Sequence, residues 1–152
     1  MENRTTPSCA RWGELTKLDL YMDQVCIAVG EVLSGIAKGQ EAALTPTMVN
    51  NYVKLKLLEA PQKKKYSTAH VSKLIIITLL KRVLSLNEIA AVLGDLFSNR
   101  KEQSGYDLFG ASLESALCGG ELPAECPPLL AAALRSLAGK LEVERILADA
   151  QG

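Results

Sequence analysis

Four polar side chains recur at helical spacing near the middle of the chain. One arc of roughly 100° holds Thr47, Asn50, Asn51 and Lys54 when each residue advances by about 100° around a helix. Asparagine is a poor helix former, so two in succession inside a helix need a reason. Hydroxyls, amides and ammonium groups bond phosphates and base edges, and asparagine can pair bidentately with adenine. We therefore predict that this face contacts double-stranded DNA; the alternative is a solvated helix face without a partner.

The opposite arc of the same segment is apolar. It contains Met48, Val49, Tyr52, Val53, Leu55 and Leu57. Thr45 offers an N-cap hydroxyl, and Pro46 suits the first helical position, where its missing N–H costs nothing. The Glu-Ala-Pro sequence at 59–61 ends the helix. We expect a helix from 46 to about 57 that buries one face and presents the other.

A run of three lysines follows this predicted helix on a short loop. Lys63, Lys64 and Lys65 can reach the phosphates beside a docked helix, and phosphate contacts supply most of the salt-dependent affinity for DNA. A lysine run alone is weak evidence, because protein surfaces often carry one. It gains weight from its place between the polar helix and the next helix.

The charges of the chain are strongly segregated. Residues 44–82 carry eight basic residues and one acid, whereas the rest carries nine basic residues and sixteen acids, and the formal net charge is zero. Two opposed blocks of charge predict that one surface meets a polyanion while the remainder stays acidic. The alternative is again a solvated basic surface.

Apolar spacing predicts helices on both sides of the basic segment. An amphipathic helix covers 18–35 and a turn follows at 38–43. Helix 68–83 is apolar almost all round, which is typical of a core helix. Tyr66 can pair in a small β-ribbon before it. Ser85 and Glu88 form a capping box that begins a further helix ending near residue 96.

The last third of the chain has a different pattern. A polar break at 98–106 is a candidate boundary, and a short helix at 108–117 and a long one at 128–150 follow it. In the long helix one side carries Leu130, Leu134, Leu137, Leu141 and Leu147. These leucines indicate packing against the body of the protein or against a second subunit.

Residues 45–93, TPTMVNNYVKLKLLEAPQKKKYSTAHVSKLIIITLLKRVLSLNEIAAVL, resemble the DNA-binding domain of MerR-type bacterial regulators. In those proteins a tyrosine-containing recognition helix ends in Leu-Leu, a basic wing leads into Tyr-Ser, and a Ser-Leu-x-Glu-Ile helix follows. The segment resembles more closely an uncharacterised bacterial family, known mainly from Gram-positive genomes, that is described as having a MerR-like helix-turn-helix.

The resemblance implies roles for particular residues. It implies a recognition helix at about 46–57 and a wing at about 61–66, with Lys63, Lys64 and Lys65 as wing contacts. Tyr52 would contact a phosphate, and Asn50 would stand where MerR proteins usually have an arginine. The asparagine removes a charged clamp on the DNA backbone, and the break at 98–106 interrupts the position of the MerR dimerisation helix. A dimer would therefore be built differently, from the helix at 128–150.

Two other kinds of site have weaker support. Cys118 and Cys126 are spaced like the cysteine pair that metal-sensing MerR relatives use for thiophilic ions, but two thiols are incomplete for a structural zinc site. We expect no metal and no cofactor. His70 is the only histidine, and no nucleophile or carboxylate pair accompanies it. Gly119-Gly120 lacks the strand-to-helix context of a phosphate loop. We therefore do not expect this protein to be an enzyme.

These patterns together predict a mostly α protein, a MerR-like winged helix-turn-helix with additional N- and C-terminal helices. We expect an N-terminal tail at 1–17, a DNA-binding domain at 18–97, and a C-terminal helical region at 107–152 that dimerises or receives a signal. No apolar run is long enough to cross a membrane, and no signal peptide is recognisable, which favours the cytoplasm. The predicted function is a bacterial transcriptional regulator acting as a homodimer on DNA, with any small-molecule or metal effector left open. The alternative is a helical protein-interaction module that does not bind DNA.

Overall fold

The computed structural model describes residues 7–37, Gly39 and 43–151. The first six residues of the predicted tail, most of the predicted turn at 38–43 and Gly152 lie outside this range. The described residues form six α-helices and one 3₁₀ turn, Trp12–Glu14. The helices are α1 Met22–Ser34, α2 Pro46–Lys54, α3 Thr68–Leu80, α4 Leu86–Phe97, α5 Glu102–Leu117 and α6 Pro128–Gln151. The prediction of a mostly α protein is confirmed.

Helix α3 forms the centre of the core. Its apolar side chains point in all directions, and Leu74, Ile75, Ile76, Ile77, Leu79 and Leu80 are each at most 2% exposed. The helices α1, α5 and α6 pack around it, while α4 packs against α5 and α6. Burying one such side chain contributes about 1.5–3 kcal/mol relative to leaving it exposed. The central position predicted for this helix from its apolar circumference is confirmed.

The N-terminal segment is packed rather than loose over its described residues. Cys9 is 2% exposed, and burial raises the pKa of its thiol to about 11. Arg11 donates two hydrogen bonds to the carboxylate of Glu114 on α5, at 3.0 and 2.9 Å. The hydroxyl of Tyr106, also on α5, donates to the carbonyl of Ala10 at 2.6 Å. From residue 7 onward the expected N-terminal tail is therefore held against the body of the protein, because its backbone and side chains are bonded to α5.

Helix α5 begins earlier than its sequence pattern indicated. It starts at Glu102, within the polar stretch expected to separate two regions. Gly105 in its first turn lies against the ring of Phe97, so near that a Cβ on the glycine would come within 2.5 Å of a ring carbon. This close approach joins α4 to α5, and one continuous set of buried residues extends from the N-terminal segment to α6.

The leucines of α6 face the protein's own core. Leu130, Leu134 and Leu137 are at most 1% exposed and Leu141 is 9% exposed, whereas Leu147 is 56% exposed. Arg82, just after α3, donates to the carboxylate of Glu144 on α6, at 2.6 Å from Oε2. The sequence left open whether these leucines pack against the body of the protein or against a second subunit. Four of the five pack against the body of the protein. In the part of the chain that the structure describes, no helix is both long and apolar enough to cross a membrane.

Candidate nucleic-acid interface

The polar face of α2 is presented to solvent. The hydroxyl of Thr45 accepts a hydrogen bond from the N–H of Met48 at 3.3 Å, and Pro46 occupies the first turn, which confirms the predicted start of the helix. Four side chains of this face are exposed, namely Thr47, Asn50, Asn51 and Lys54. Val49 on the opposite face is fully buried. The helix therefore displays two amides, a hydroxyl and an ammonium group on one side, each free to meet a ligand.

Tyr52 does not belong to this exposed face. Its side chain is 1% exposed, and the ammonium of Lys81 lies 5.6 Å from the centre of its ring. A ring that is packed into the core and covered by a lysine cannot reach a phosphate, so its predicted role as a DNA contact is wrong. Lys81, which the motif did not mark, occupies the surface over it. A basic residue directly after a core helix was the only signal for it in the sequence.

At the C-terminal end of α2 the backbone changes direction at a lysine whose φ lies in the left-handed region. The N–H of Leu57 donates to the carbonyl of Tyr52 at 2.9 Å, and the N–H of Lys56 donates to that of Val53 at 3.1 Å. These two bonds form a Schellman motif, whose turning residue is usually glycine. Here it is Lys56, with φ of 61°. The predicted helix therefore ends at Lys54, and Leu55, expected to be buried, is 52% exposed.

Lys63 and Lys64 form the tip of a two-residue hairpin. Gln62 and Lys65 exchange backbone hydrogen bonds of 3.1 and 2.9 Å on either side of the tip. Lys63 has φ of 52° and Lys64 has φ of 65°. A type I′ turn requires positive φ at both central residues, and asparagine followed by glycine is the usual choice. Two lysines here place adjacent charges at the corner at a cost in backbone energy. We call residues 62–65 the lysine hairpin.

The base of the lysine hairpin is fixed to the rest of the protein. Tyr66 exchanges backbone hydrogen bonds of 2.9 and 2.8 Å with Leu20, which confirms the expected small β pairing. Tyr66 is 3% exposed, and burial raises the pKa of its hydroxyl. The ammonium of Lys65 lies 5.3 Å from the centre of the Tyr21 ring. Lys65 is thus held at the side of the hairpin, while Lys63 and Lys64 are exposed at its tip.

His70 connects the hairpin to the end of α2. Its Nδ1 accepts from the backbone N–H of Ser67 at 3.0 Å, and its Nε2 lies 3.1 Å from the carbonyl oxygen of Glu59. This pairing places the proton on Nε2. The imidazole is 8% exposed and packs edge to face with Tyr66. Both ring nitrogens bond backbone groups, so the residue ties together the loop after α2, the hairpin and the start of α3.

Left-handed backbone occurs at three exposed lysines of the candidate interface. Among the described residues, the non-glycine positions with positive φ are Lys56, Lys63 and Lys64. Left-handed backbone costs a residue with a Cβ roughly 1–2 kcal/mol, and such strain persists where the surrounding structure enforces it. These lysines lie at the two ends of the loop that joins α2 to the hairpin. Lys54 and Lys81 are further exposed lysines between residues 44 and 82.

A family match covers this surface. The model of a domain of unknown function, DUF1836, matches residues 10–113. The chain belongs to this family. The match includes α1–α4 and most of α5, and therefore the whole candidate interface, while α6 lies beyond it. No curated protein and no solved structure matches the chain.

The predicted cysteine pair lies far along the chain from this surface, between α5 and α6. Cys118 is exposed and Cys126 is half-buried. In the described ranges, no three histidine, cysteine or acidic side chains are grouped so that they could hold a metal ion. The structure thus adds no further ligand to the two thiols.

Proposed function

We propose that this DUF1836 protein is a DNA-binding transcriptional regulator that docks in the manner of a MerR-like winged helix-turn-helix. Helix α2 enters the major groove with Asn50 and Asn51 toward base edges. The lysine hairpin acts as the wing, and Lys63 and Lys64 contact phosphates of the flanking backbone. His70, whose two nitrogens bond backbone groups, has a supporting rather than a catalytic role.

The observation that carries the proposal is the concentration of backbone strain in exposed lysines. A two-residue hairpin with Asn-Gly at its tip would fold without strain, so packing alone does not explain lysine at both positions. Strained backbone is concentrated at active and ligand-binding sites, where the surrounding structure holds it in place. Adjacent ammonium groups on a rigid turn fit the regular negative charges of a phosphodiester chain.

The arrangement of the polar groups favours duplex DNA over other polyanions. Lysines position a protein on the backbone but read no sequence, whereas amides can read base edges in the major groove. The protein presents both, with the amides on a helix and the lysines on the hairpin that follows it in the chain. A surface for an unstructured polyanion would need the charge without the helix-borne amides.

The proposal is tested with a fluorescein-labelled random duplex, fluorescence anisotropy and a series of salt concentrations. The Lys63→Ala/Lys64→Ala variant is expected to bind all sequences more weakly and to flatten the plot of log affinity against log salt by about 1.8, because each phosphate contact contributes about 0.9. Lys101→Ala/Lys140→Ala removes two exposed lysines on other elements and serves as the matched control, with the slope unchanged. If the wild type fails to bind duplex at low salt, the DNA proposal is wrong and the helical interaction module replaces it.

A further inference from the structure

The solvent face of α6 carries a second apolar pattern, separate from the leucines in the core. The spacing between its residues alternates between three and four. The residues are Leu129, Ala132, Ser136, Gly139, Val143, Ile146 and Ala150. All are exposed, and Leu129, Val143 and Ile146 are 45%, 51% and 52% exposed. We call this row the α6 seam.

This spacing is the pattern by which helices pair. A strict alternation of three and four keeps one row of side chains facing a partner helix along its length. The α6 seam lies on the side of the helix opposite Leu130, Leu134 and Leu137, so a helix docked there would not disturb the core. No seam position carries a charge. The solvent-facing side of a surface helix normally carries charged and polar residues, so an uncharged heptad row over three turns or more is unusual there.

We infer that the α6 seam binds the same seam of a second copy of this chain, with the two helices antiparallel. In this register Leu129 faces Ile146 of the second copy, Ala132 faces Val143 and Ser136 faces Gly139. Large side chains meet at the ends and the smallest meet at the centre, where the two helix axes cross most closely. Each contact occurs twice about the twofold axis, as a self-complementary interface requires.

The charges beside the seam select this orientation. In the antiparallel pair, Arg135 lies beside Glu142 of the second copy on one flank, while Lys140 lies beside the uncharged Ala133 on the other. A parallel pair would instead bring Arg135 beside Lys140 of the second copy, twice, at the flanking positions that set pairing specificity. Arg135 forms no ion pair with any residue that the structure describes, whereas Glu142 is already bonded to Arg145 of its own helix, so Arg135 of the second copy would join an existing pair. The antiparallel pair therefore gains two attractive contacts and no repulsive one along the seam.

The length of the seam sets the surface area that the dimer would bury. Residues 129–150 span about 33 Å of helix at about 1.5 Å per residue. Two helices in contact over that length bury on the order of 1,000 Å² in total, near the lower limit of specific interfaces. We expect a dimer with a dissociation constant in the micromolar range. The seam contains no residue of α2 or of the lysine hairpin, so dimerisation can be measured without DNA and tested separately from the proposed function.

Sedimentation velocity of the full chain without DNA tests the inference, at concentrations from about 1 µM to about 500 µM. The wild type should pass from monomer to dimer. Ile146→Glu should raise the dissociation constant about tenfold or more, because it places a charge in the seam. Ile27→Glu makes the same change at an exposed isoleucine on α1 and should leave dimerisation unchanged. A wild type that stays monomeric throughout, or an equal loss in both variants, overturns the inference.

Charge exchange tests the orientation. Arg135→Glu alone and Glu142→Lys alone should each weaken the dimer, since each sets like charges opposite one another in its own homodimer. An equimolar mixture of the two variants should restore association, because the heterodimer contains only opposite-charge pairs at these positions. If Arg135→Glu instead strengthens the homodimer, the helices are parallel and the antiparallel assignment is wrong. Circular dichroism of each variant confirms that the helices are intact.

Discussion

Replacing the strained tip of the lysine hairpin with its unstrained equivalent should make the protein more stable and a weaker DNA binder. In Lys63→Asn/Lys64→Gly, residues suited to positive φ replace two lysines with φ of 52° and 65°. Removing the backbone strain at two left-handed positions adds about 2 kcal/mol to the free energy of unfolding, at the lower estimate of about 1 kcal/mol per residue. Because glycine has more conformational freedom in the unfolded chain, it lowers the free energy of unfolding by roughly 0.5–1 kcal/mol. The expected net gain is about 1 kcal/mol, or about 2–4 °C in Tm for a chain of this size.

The matched variant Lys63→Ala/Lys64→Ala separates charge from strain. Alanine removes the same two charges but keeps a Cβ in the left-handed region, so it should give the same loss of DNA affinity without the gain in stability. Thermal and urea unfolding followed by circular dichroism give the stabilities, and anisotropy at several salt concentrations gives the slopes. The reasoning is refuted if the Asn-Gly variant is no more stable than the Ala-Ala variant. It is also refuted if either variant binds duplex as the wild type does.

Three further predictions follow from single residues. Asn51→Ala should broaden the set of duplexes selected from a random pool while lowering overall affinity little, because an amide reads bases rather than phosphates. His70→Ala should lower the free energy of unfolding by about 1–3 kcal/mol in urea denaturation, since it leaves two backbone groups of a nearly buried site without partners. The Arg11 guanidinium lowers the pKa of the Glu114 carboxyl below its ordinary 4.5. The stability that this carboxylate contributes is therefore present above pH 4.5 and lost as the pH falls below it, so Glu114→Gln should cost more near neutral pH than at about pH 3.

The variants at Asn51 and Glu114 each have a control within the chain. Asn87→Ala removes an exposed asparagine on α4 and should leave duplex selection unchanged. Glu121→Gln changes an exposed glutamate in the loop after α5, and its effect on the free energy of unfolding should be the same near neutral pH and at about pH 3. Unchanged selection by Asn51→Ala would mean that α2 touches only the DNA backbone. A His70→Ala variant as stable as the wild type would contradict the role given to the imidazole.

The helices that position the interface could be predicted because local signals agreed with the tertiary fold. The N-cap of α2 at Thr45 is as expected, and so is the capping box of α4, where Ser85 and Glu88 bond each other's backbone N–H groups. The wheel of α2 also separated exposed Asn50 and Asn51 from buried Val49 correctly. Short-range periodicity and capping are sufficient for these features.

The features that were missed depend on contacts distant in the chain. Nothing near Cys9 and Arg11 indicates that they bond Glu114, about a hundred residues away. The start of α5 was missed because Gly105 is a poor helix former whose place depends on the ring of Phe97. The burial of Tyr52 agreed with its apolar arc, and the error came from the role carried over from MerR proteins. Left-handed Lys56, Lys63 and Lys64 could not be predicted, since sequence statistics favour glycine or asparagine there.

The most direct test of the proposed DNA-binding surface is an NMR titration of the ¹⁵N-labelled full chain with a random duplex at low salt. If α2 and the lysine hairpin form the interface, the perturbed amides should cluster at 47–54 and 62–66 and extend to Lys81. The amides of the core-facing part of α6 should stay unperturbed. Perturbations confined to other elements, or none at saturating duplex, would contradict the account.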